Sequence, residues 1–145
     1  MKIIKLSKKY LYYVVLIIQK RWGYSYGDAF DNAMRWLKKV DNSICFIGIE
    51  NKRPMATAVF DPKQEDIDSK ISPWNTLLWV EPNYRGKGYG EMLTKKRFEY
   101  AKKLGYKTIY LDTTDAIEYH KRRGWNFVKH IKWNGEDDNI MKIDI

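Results

Sequence analysis

The 145-residue sequence has few of the residues that bind metals or form covalent cross-links. It holds one cysteine, Cys45, and two histidines, His120 and His130. A single cysteine cannot form a disulfide within the chain, which favours a reducing, cytoplasmic location. Cys45 lies in an apolar run, where a buried thiol is a better interpretation than a nucleophile. One cysteine and two scattered histidines give no zinc-ligand spacing, so no metal is expected.

A long hydrophobic run is also missing. The apolar residues 10–18 follow four lysines and superficially resemble a secretory signal. They lead straight into Gln19, Lys20 and Arg21 without a small-residue cleavage site, and they are far fewer than the roughly 20 residues that span a bilayer. We therefore expect a buried helix here and no membrane association.

Positive charge is abundant and unevenly placed. The formal net charge is +9, and residues 84–132 hold 13 Lys or Arg against five Asp or Glu. Such a field raises the local concentration of polyanions. A solvated lysine-rich surface, a nucleic acid partner and a multiply phosphorylated cofactor are all open interpretations.

Hydrophobic periodicity and turn residues predict one α/β domain over residues 1–145. The predicted strands cover residues 2–6, 43–50, 54–60, 74–81, 108–113, 125–133 and 139–145, and the predicted helices cover 9–22, 28–40, 88–104 and 115–123. The order is β-α-α-β-β-β-α-β-α-β-β. The central strand–helix–strand unit is a crossover connection, so its two strands should be parallel. We expect a mixed sheet of about seven strands with helices on both faces.

A glycine-rich segment ends one predicted strand and begins the next helix. Three glycines stand there at alternate positions: Gly86, Gly88 and Gly90. Without Cβ atoms, they let main-chain N–H groups approach an anion. The first-turn N–H groups of the helix lack internal partners and lie at its positive end, while Arg85 and Lys87 add charge. The segment predicts a pyrophosphate cradle.

Two other phosphate motifs do not fit this segment. A P-loop would need glycine at the position of Glu81, and the dinucleotide pattern G-x-G-x-x-G would need its third glycine at Glu91. An arginine-glycine RNA-binding segment is the remaining alternative. A single copy between a strand and an amphipathic helix argues against it.

The pattern Arg85-x-x-Gly88-x-Gly90, between a strand and a helix, resembles the acyl-CoA signature of the GNAT superfamily of N-acyltransferases. Residues 116–125, AIEYHKRRGW, resemble the short tyrosine-bearing helix of that family, followed by glycine and an aromatic residue. The order of elements also matches over almost the whole chain.

The resemblance implies a single N-acetyltransferase domain over residues 1–145, with a sheet splayed between its two central parallel strands and acetyl-CoA as the acetyl donor. The cofactor-binding residues would be Trp79, Val80, Arg85, Gly86, Lys87, Gly88, Tyr89 and Gly90. A strand bulge near Trp79 would direct one N–H at the thioester carbonyl. Tyr119 would be the general acid that protonates the departing thiolate. A tyrosine that merely holds its helix to the sheet is the alternative.

The general base is left open by the sequence. Where histone-type relatives keep a glutamate, this chain has Trp74. Glu81, Asp112 and a chain of waters are candidates. The asparagine often found at the head of the tyrosine helix is replaced by Asp115, which adds a negative charge near the cofactor.

The acceptor is expected to be a primary amine that attacks the thioester directly. The acidic residues Asp61, Glu65, Asp66 and Asp68 of a predicted loop favour a small cationic amine or a peptide amine. The positive field leaves open an amine carried on RNA, such as an aminoacyl-tRNA, or a CoA-sensing or RNA-binding module without catalysis. Phe98, expected to be exposed, leaves a partner surface and a homodimer open.

Overall fold

The computed structural model describes residues 1–63, 67–133 and 135–145. Its strands are β1 (Lys2–Lys5), β2 (Ile44–Glu50), β3 (Arg53–Asp61), β4 (Trp74–Val80), β5 (Thr108–Thr113), β6 (Asn126–Trp133) and β7 (Glu136–Asp144), and its helices are α1 (Leu11–Trp22), α2 (Tyr26–Leu37), α3 (Tyr89–Lys103) and α4 (Ile117–Lys121). Three single 3₁₀ turns complete the described elements: Lys8–Tyr10, Val40–Asn42 and Pro82–Tyr84. The elements follow one another in the predicted order.

All seven strands form one sheet in the order β1-β2-β3-β4-β5-β7-β6. Neighbours are antiparallel except β4 and β5, which are parallel as predicted. Among the described residues, only Trp74 and Tyr110 lie in register across β4 and β5. Beyond Trp74, the edge of β4 that faces β5 has no strand partner. The mixed seven-stranded sheet and its splayed parallel pair are therefore confirmed.

Apolar residues of the helices cover both faces of the sheet. On one face, α1 and α2 pack against β2 and β3 through residues including Val14, Val15, Ile18, Ala29, Ala33, Cys45, Ile47 and Val59. On the other face, α3 contributes Leu93 and Ala101 to a second core with Phe46, Phe60, Ile109 and Leu111. Within the described residues, no helix combines the length and the apolar character needed to cross a bilayer.

The helix ends follow local chemistry. Gly23 ends α1 in a left-handed conformation (φ +67°), as its position predicts. Ser25 caps α2, because its hydroxyl oxygen accepts from the Asp28 N–H at 3.1 Å, so this helix begins before the predicted start. The helix predicted over residues 115–123 is shorter, and its predicted start at Asp115 is wrong. The N–H of Ala116 instead donates to Thr113 Oγ1 at 3.0 Å, and α4 begins only at Ile117.

The prediction of an exposed Phe98 is also wrong. Its ring is half-buried and lies 6.0 Å from that of Trp125, between centroids. Phe98 therefore packs on the core side of α3, against the residue that directly precedes β6.

Part of the predicted acidic loop belongs to the folded sheet. Asp61 is the last residue of β3 and is only 5% exposed. Its carboxylate pairs with Arg35 and accepts from Trp36 Nε1 at 3.0 Å. Asp68 pairs with Lys129 at 2.8 Å. Glu65 and Asp66 lie outside the described residues.

Replacement of Asp61 by Asn should lower the free energy of unfolding by about 2–3 kcal/mol, because Arg35 would lose the more buried of its two carboxylate partners and keep only Asp41, at 3.3 Å. The control Asp68→Asn removes a carboxylate from an exposed pair and should change the melting temperature much less. Urea and thermal unfolding followed by circular dichroism measure both effects. Equal losses in the two variants would contradict the structural role of Asp61.

Candidate active site

Strand β4 carries a bulge where it borders the open part of the sheet. Its register with β3 shifts between the pairs Thr57–Trp79 and Val59–Thr76, so that Leu77 and Leu78 both lie opposite a single β3 residue. Leu77 has φ +44°, a left-handed conformation that leucine rarely adopts. Bulges of this kind change the direction in which one main-chain group points.

The bulged peptide between Leu77 and Leu78 is held from β3. The buried hydroxyl of Thr57 donates to the carbonyl oxygen of Leu77 at 3.1 Å. In a trans peptide, the carbonyl and the following N–H point in opposite directions. The Leu78 N–H therefore points away from the Thr57 hydroxyl of β3. The bulge lies just before the position near Trp79 that the family resemblance implied.

The glycine loop has the backbone that a phosphate cradle requires. Gly86 and Gly88 have φ values of +79° and +80°, which only glycine adopts without strain. Gly88 is the residue that precedes α3, and no side chain caps this helix end. The N–H groups of the first turn of α3 thus lack a side-chain acceptor in the described part of the chain.

Cationic side chains gather around Trp79. The guanidinium of Arg85 lies 4.8 Å from the ring centroid, and Lys20 Nζ lies 5.0 Å from it. Arg85 also donates through Nε to the carbonyl oxygen of Val80 at 2.8 Å. The Val80 carbonyl therefore already accepts a hydrogen bond. Val80 is one of the residues predicted to bind the cofactor, and its N–H is the main-chain group that it still has to offer.

The side chain of Tyr89 faces the sheet. Its hydroxyl donates to Glu50 at 3.1 Å and so ties the start of α3 to the end of β2. What Tyr89 can offer a cofactor is its main-chain N–H. Lys87 lies over the ring of Tyr84, at 5.7 Å from the centroid.

Glu81, one of the two candidate bases, already accepts two hydrogen bonds at one oxygen. Tyr13 donates its hydroxyl to Glu81 Oε1 at 2.9 Å, and Trp79 donates Nε1 to the same oxygen at 3.1 Å. Burial raises the pKa of Tyr13, so its hydroxyl remains a donor at physiological pH. Glu81 thereby links α1 to the end of β4.

Asp112, the other candidate base, shares a buried site with a second carboxyl group. It lies near the end of β5 and forms a hydrogen bond with Asp138 of β7, which is 3% exposed. Burial, together with the neighbouring carboxyl, raises the pKa of Asp112 to about 8. The Asp112 carboxyl therefore keeps its proton to a higher pH than an exposed aspartate does. Sequence analysis missed Asp138, because only the β5–β7 register brings it beside Asp112.

A cleft of about 370 Å³ lies between the first two helices and the open part of the sheet. It contains Asp112 and Thr76, the residue directly before the bulge. Four of its lining residues are aromatic: Trp22, Tyr24, Trp36 and Trp133. The cleft therefore joins flat, partly apolar walls to a buried carboxyl pair beside the bulged strand.

Tyr119 lies in α4 and is 40% exposed. The Arg123 guanidinium lies 3.6 Å from its ring centroid and pairs with Glu91, in the first turn of α3, at 3.2 Å. Arg123 thus connects the tyrosine helix to the glycine loop. Within the described residues, the Tyr119 hydroxyl has no hydrogen-bond partner and contacts neither Glu81 nor Asp112.

The single thiol is part of the core, as predicted. Cys45 is fully buried, and burial raises its pKa, so it is inert as a nucleophile at neutral pH. In the described part of the chain, no group of three or more His, Cys, Asp or Glu side chains is placed to hold a metal ion.

Comparison with known proteins agrees with this geometry. Residues 11–125 match the family described as the Acetyltransferase (GNAT) family. An uncharacterized N-acetyltransferase of Methanocaldococcus jannaschii is 29% identical over 119 residues, which are 79% of this chain and 50% of that protein. The chain thus spans about half the length of the curated relative it matches.

Solved structures share the fold at low sequence identity. An aminoglycoside 6'-N-acetyltransferase complexed with coenzyme A has a TM-score of 0.78 and 15% identity, over 99% of this chain and 97% of that one. A ribosomal-protein-alanine N-acetyltransferase from Brucella melitensis has a TM-score of 0.77 and 15% identity, over 100% of both chains. The family match covers most of the chain, and the structure has the splayed sheet and the glycine loop. The chain therefore belongs to the GNAT acetyltransferase family.

Proposed function

We propose that the chain transfers the acetyl group of acetyl-CoA to a primary amine, which attacks the thioester directly. The observation that carries this proposal is the unpaired edge of β4, which has a bulged N–H at one end and a glycine-lined helix start at the other. Membership of the acetyltransferase family and the likeness to a structure with bound coenzyme A support the donor.

The cofactor would follow that edge. Its pyrophosphate would accept from the N–H groups of residues 86–90, with Arg85 and Lys87 adding charge. Its pantetheine arm would pair with free main-chain groups of β4 near Trp79. The thioester carbonyl would then lie near the Leu78 N–H, which would stabilise the oxyanion formed during attack.

Asp112 is the better candidate for the base. It lines the cleft beside the bulge, whereas Glu81 Oε1 already accepts from Tyr13 and Trp79. In its ionised form Asp112 would take a proton from the ammonium group, and the free amine would attack the carbonyl carbon. Collapse of the tetrahedral intermediate would break the C–S bond, and Tyr119 would give its proton to the thiolate. The proton that the nitrogen loses as the amide forms would pass through water and restore the tyrosine.

The acceptor proposed for the cleft is a cationic amine. Indole and phenol faces attract ammonium groups, and Asp112 adds a carboxyl group to the same cleft. The predicted acidic loop contributes less than its sequence indicated, because Asp61 and Asp68 already pair with Arg35 and Lys129.

An amine carried on RNA is the second candidate. The observation in its favour is that Lys20, Arg21 and Arg85 all lie within 6.0 Å of the Trp79 ring centroid, beside the proposed pantetheine path. Phosphate-driven binding would weaken steeply as salt rises.

Release of free thiol from acetyl-CoA distinguishes the candidates when polyamines, aminoglycosides, peptide amines and aminoacyl-tRNA are offered at two salt concentrations. Turnover with a small amine at both concentrations supports the first candidate. Turnover only with aminoacyl-tRNA supports the second. Binding of acetyl-CoA without turnover on any acceptor would overturn the proposal in favour of a CoA sensor.

Tyr119→Phe should keep the affinity for acetyl-CoA and lower kcat by about 100-fold, because the thiolate would leave without a positioned acid. Isothermal titration gives the affinity, and thiol release gives the rate. Tyr106→Phe is the control, since it removes a phenol at the opposite end of β5. An unchanged kcat in Tyr119→Phe would exclude the tyrosine as general acid.

The pH dependence should report the carboxyl pair. If Asp112 is the base, kcat/KM rises with pH to a plateau above the pKa of about 8. Asp138→Asn removes the charge that helps to raise this pKa, so the rise should move to lower pH. In Asp112→Asn, the rise of kcat/KM with pH should be absent. An identical pH profile for wild type and Asp112→Asn, with the same acceptor, would refute this role.

The same pair should affect stability with a definite sign. The folded chain keeps a proton on Asp112 that the unfolded chain releases above its ordinary pKa of 3.8. Stability should therefore fall as pH rises from about 4 through 8. Urea unfolding at several pH values should show a smaller fall in Asp112→Asn, whether or not an acceptor is known.

Gly88→Ala should weaken acetyl-CoA binding by about tenfold or more, because its Cβ would enter the open space where the phosphates are proposed to bind. Gly105→Ala is a matched control: it too has a positive φ, with no atom near its added Cβ. Both variants should lose about 1 kcal/mol of stability through left-handed strain. Equal affinity in both would place the phosphates elsewhere.

A further inference from the structure

Arg97 is a buried charge beneath the proposed reaction centre. It lies on the core face of α3, between Leu93 and Ala101 at helical spacing, and is only 3% exposed. None of its hydrogen-bond partners is a carboxylate. Burial lowers its pKa to about 9, which reflects how poorly its charge is compensated.

The contacts of Arg97 are with the backbone beside the bulge. Its Nη1 atom donates to the carbonyl oxygens of Val59 and Thr76, each at 3.2 Å. These two residues are paired across β3 and β4 at the register position next to the bulge. Its Nη2 atom donates to Thr94 Oγ1 at 3.0 Å, which fixes the plane of the guanidinium.

Arg97 and Thr57 together hold both peptides that flank Leu77. Arg97 binds the carbonyl of Thr76, and Thr57 binds the carbonyl of Leu77. Leu77, with its positive φ, lies between these two peptides and directly precedes the Leu78 N–H. Two fixed carbonyls therefore determine where that N–H points.

We infer that Arg97 is a positioning residue for acyl transfer: its guanidinium, with the Thr57 hydroxyl, holds the β4 bulge so that the Leu78 N–H meets the developing oxyanion. This inference rests on the proposed function. The positive charge of Arg97, buried in a medium of low dielectric constant, also favours negative charge at that point.

A purely structural arginine would predict something different. Its loss would destabilise the fold and lower the amount of active protein, but each folded molecule would keep its kcat. A positioning residue affects the transition state more than the bound ground state, so its loss lowers kcat more than acetyl-CoA affinity.

The first experiment compares Arg97→Lys, which keeps a charge and donors, with Arg97→Met, which keeps only the apolar length. Arg97→Met should lower kcat by about 100-fold, with a smaller change in acetyl-CoA affinity, and Arg97→Lys should recover part of the loss. Ala101→Gly, on the same helix face, is the destabilised control and should keep kcat per folded molecule. Equal kcat in Arg97→Met, Ala101→Gly and wild type would overturn the inference.

Two variants of Thr57 provide a second test in case Arg97→Met does not fold. Thr57→Val keeps the shape and removes the donor to the Leu77 carbonyl, and it should lower kcat by about tenfold. Thr57→Ser keeps the hydroxyl and should recover most of that loss. If Thr57→Val keeps the wild-type kcat, the bulge does not need this donor and the inference fails.

A readout without an acceptor separates this inference from the proposed function. In wild type, addition of acetyl-CoA should shift the amide resonance of Leu78, and Thr57→Val and Arg97→Met should reduce the shift even at saturating cofactor. If wild type shows the shift but transfers acetyl to no amine, the proposed function fails while the positioning of the N–H stands. An equal shift in the variants and wild type would refute the positioning role.

Discussion

The parallel strands β4 and β5 are in register only at Trp74 and Tyr110, and the candidate site is arranged around their separation beyond that pair. An inner strand with unpaired N–H and C=O groups is unfavourable unless another molecule pairs with it. The separation therefore both opens the sheet and creates the binding edge. The bulge, the glycine loop and the carboxyl pair all lie along that opening.

The cations behind the net charge of +9 have several different partners in this structure, so the total alone does not predict what the protein binds. Arg35 and Lys129 neutralise carboxylates that the sequence had assigned to the acceptor. Arg123 joins the tyrosine helix to the first turn of α3 through Glu91. The cations around Trp79, with those of the glycine loop, are the ones proposed to meet phosphates. Charge thus distinguishes functions only once each partner is known.

Local patterns were enough to predict the order of the elements and the glycine loop that begins α3, because turn residues and periodicity act over a few neighbours. Contacts between distant strands were not predictable in this way. Asp138 reaches Asp112 only through the β5–β7 register, and Asp61 meets Arg35 only when α2 lies on the sheet. Arg97 did leave a signal, since the spacing of Leu93, Arg97 and Ala101 places it on the core face. Its charge made an exposed position the natural expectation.

Two buried ionisable sites lie on opposite faces of the sheet at the opening, and their signs are complementary to the proposed chemistry. Burial lowers the pKa of Arg97 beneath the bulge and raises the pKa of Asp112 in the cleft. In both cases the charged form has lost water without gaining enough opposite charge nearby to offset that loss. A stable fold alone would favour apolar residues at both places. Acyl transfer to an amine develops negative charge on the carbonyl oxygen and releases a proton from nitrogen. In the proposed reaction, Arg97 would lie behind the oxyanion donor and Asp112 would face the amine, which would account for keeping both groups buried.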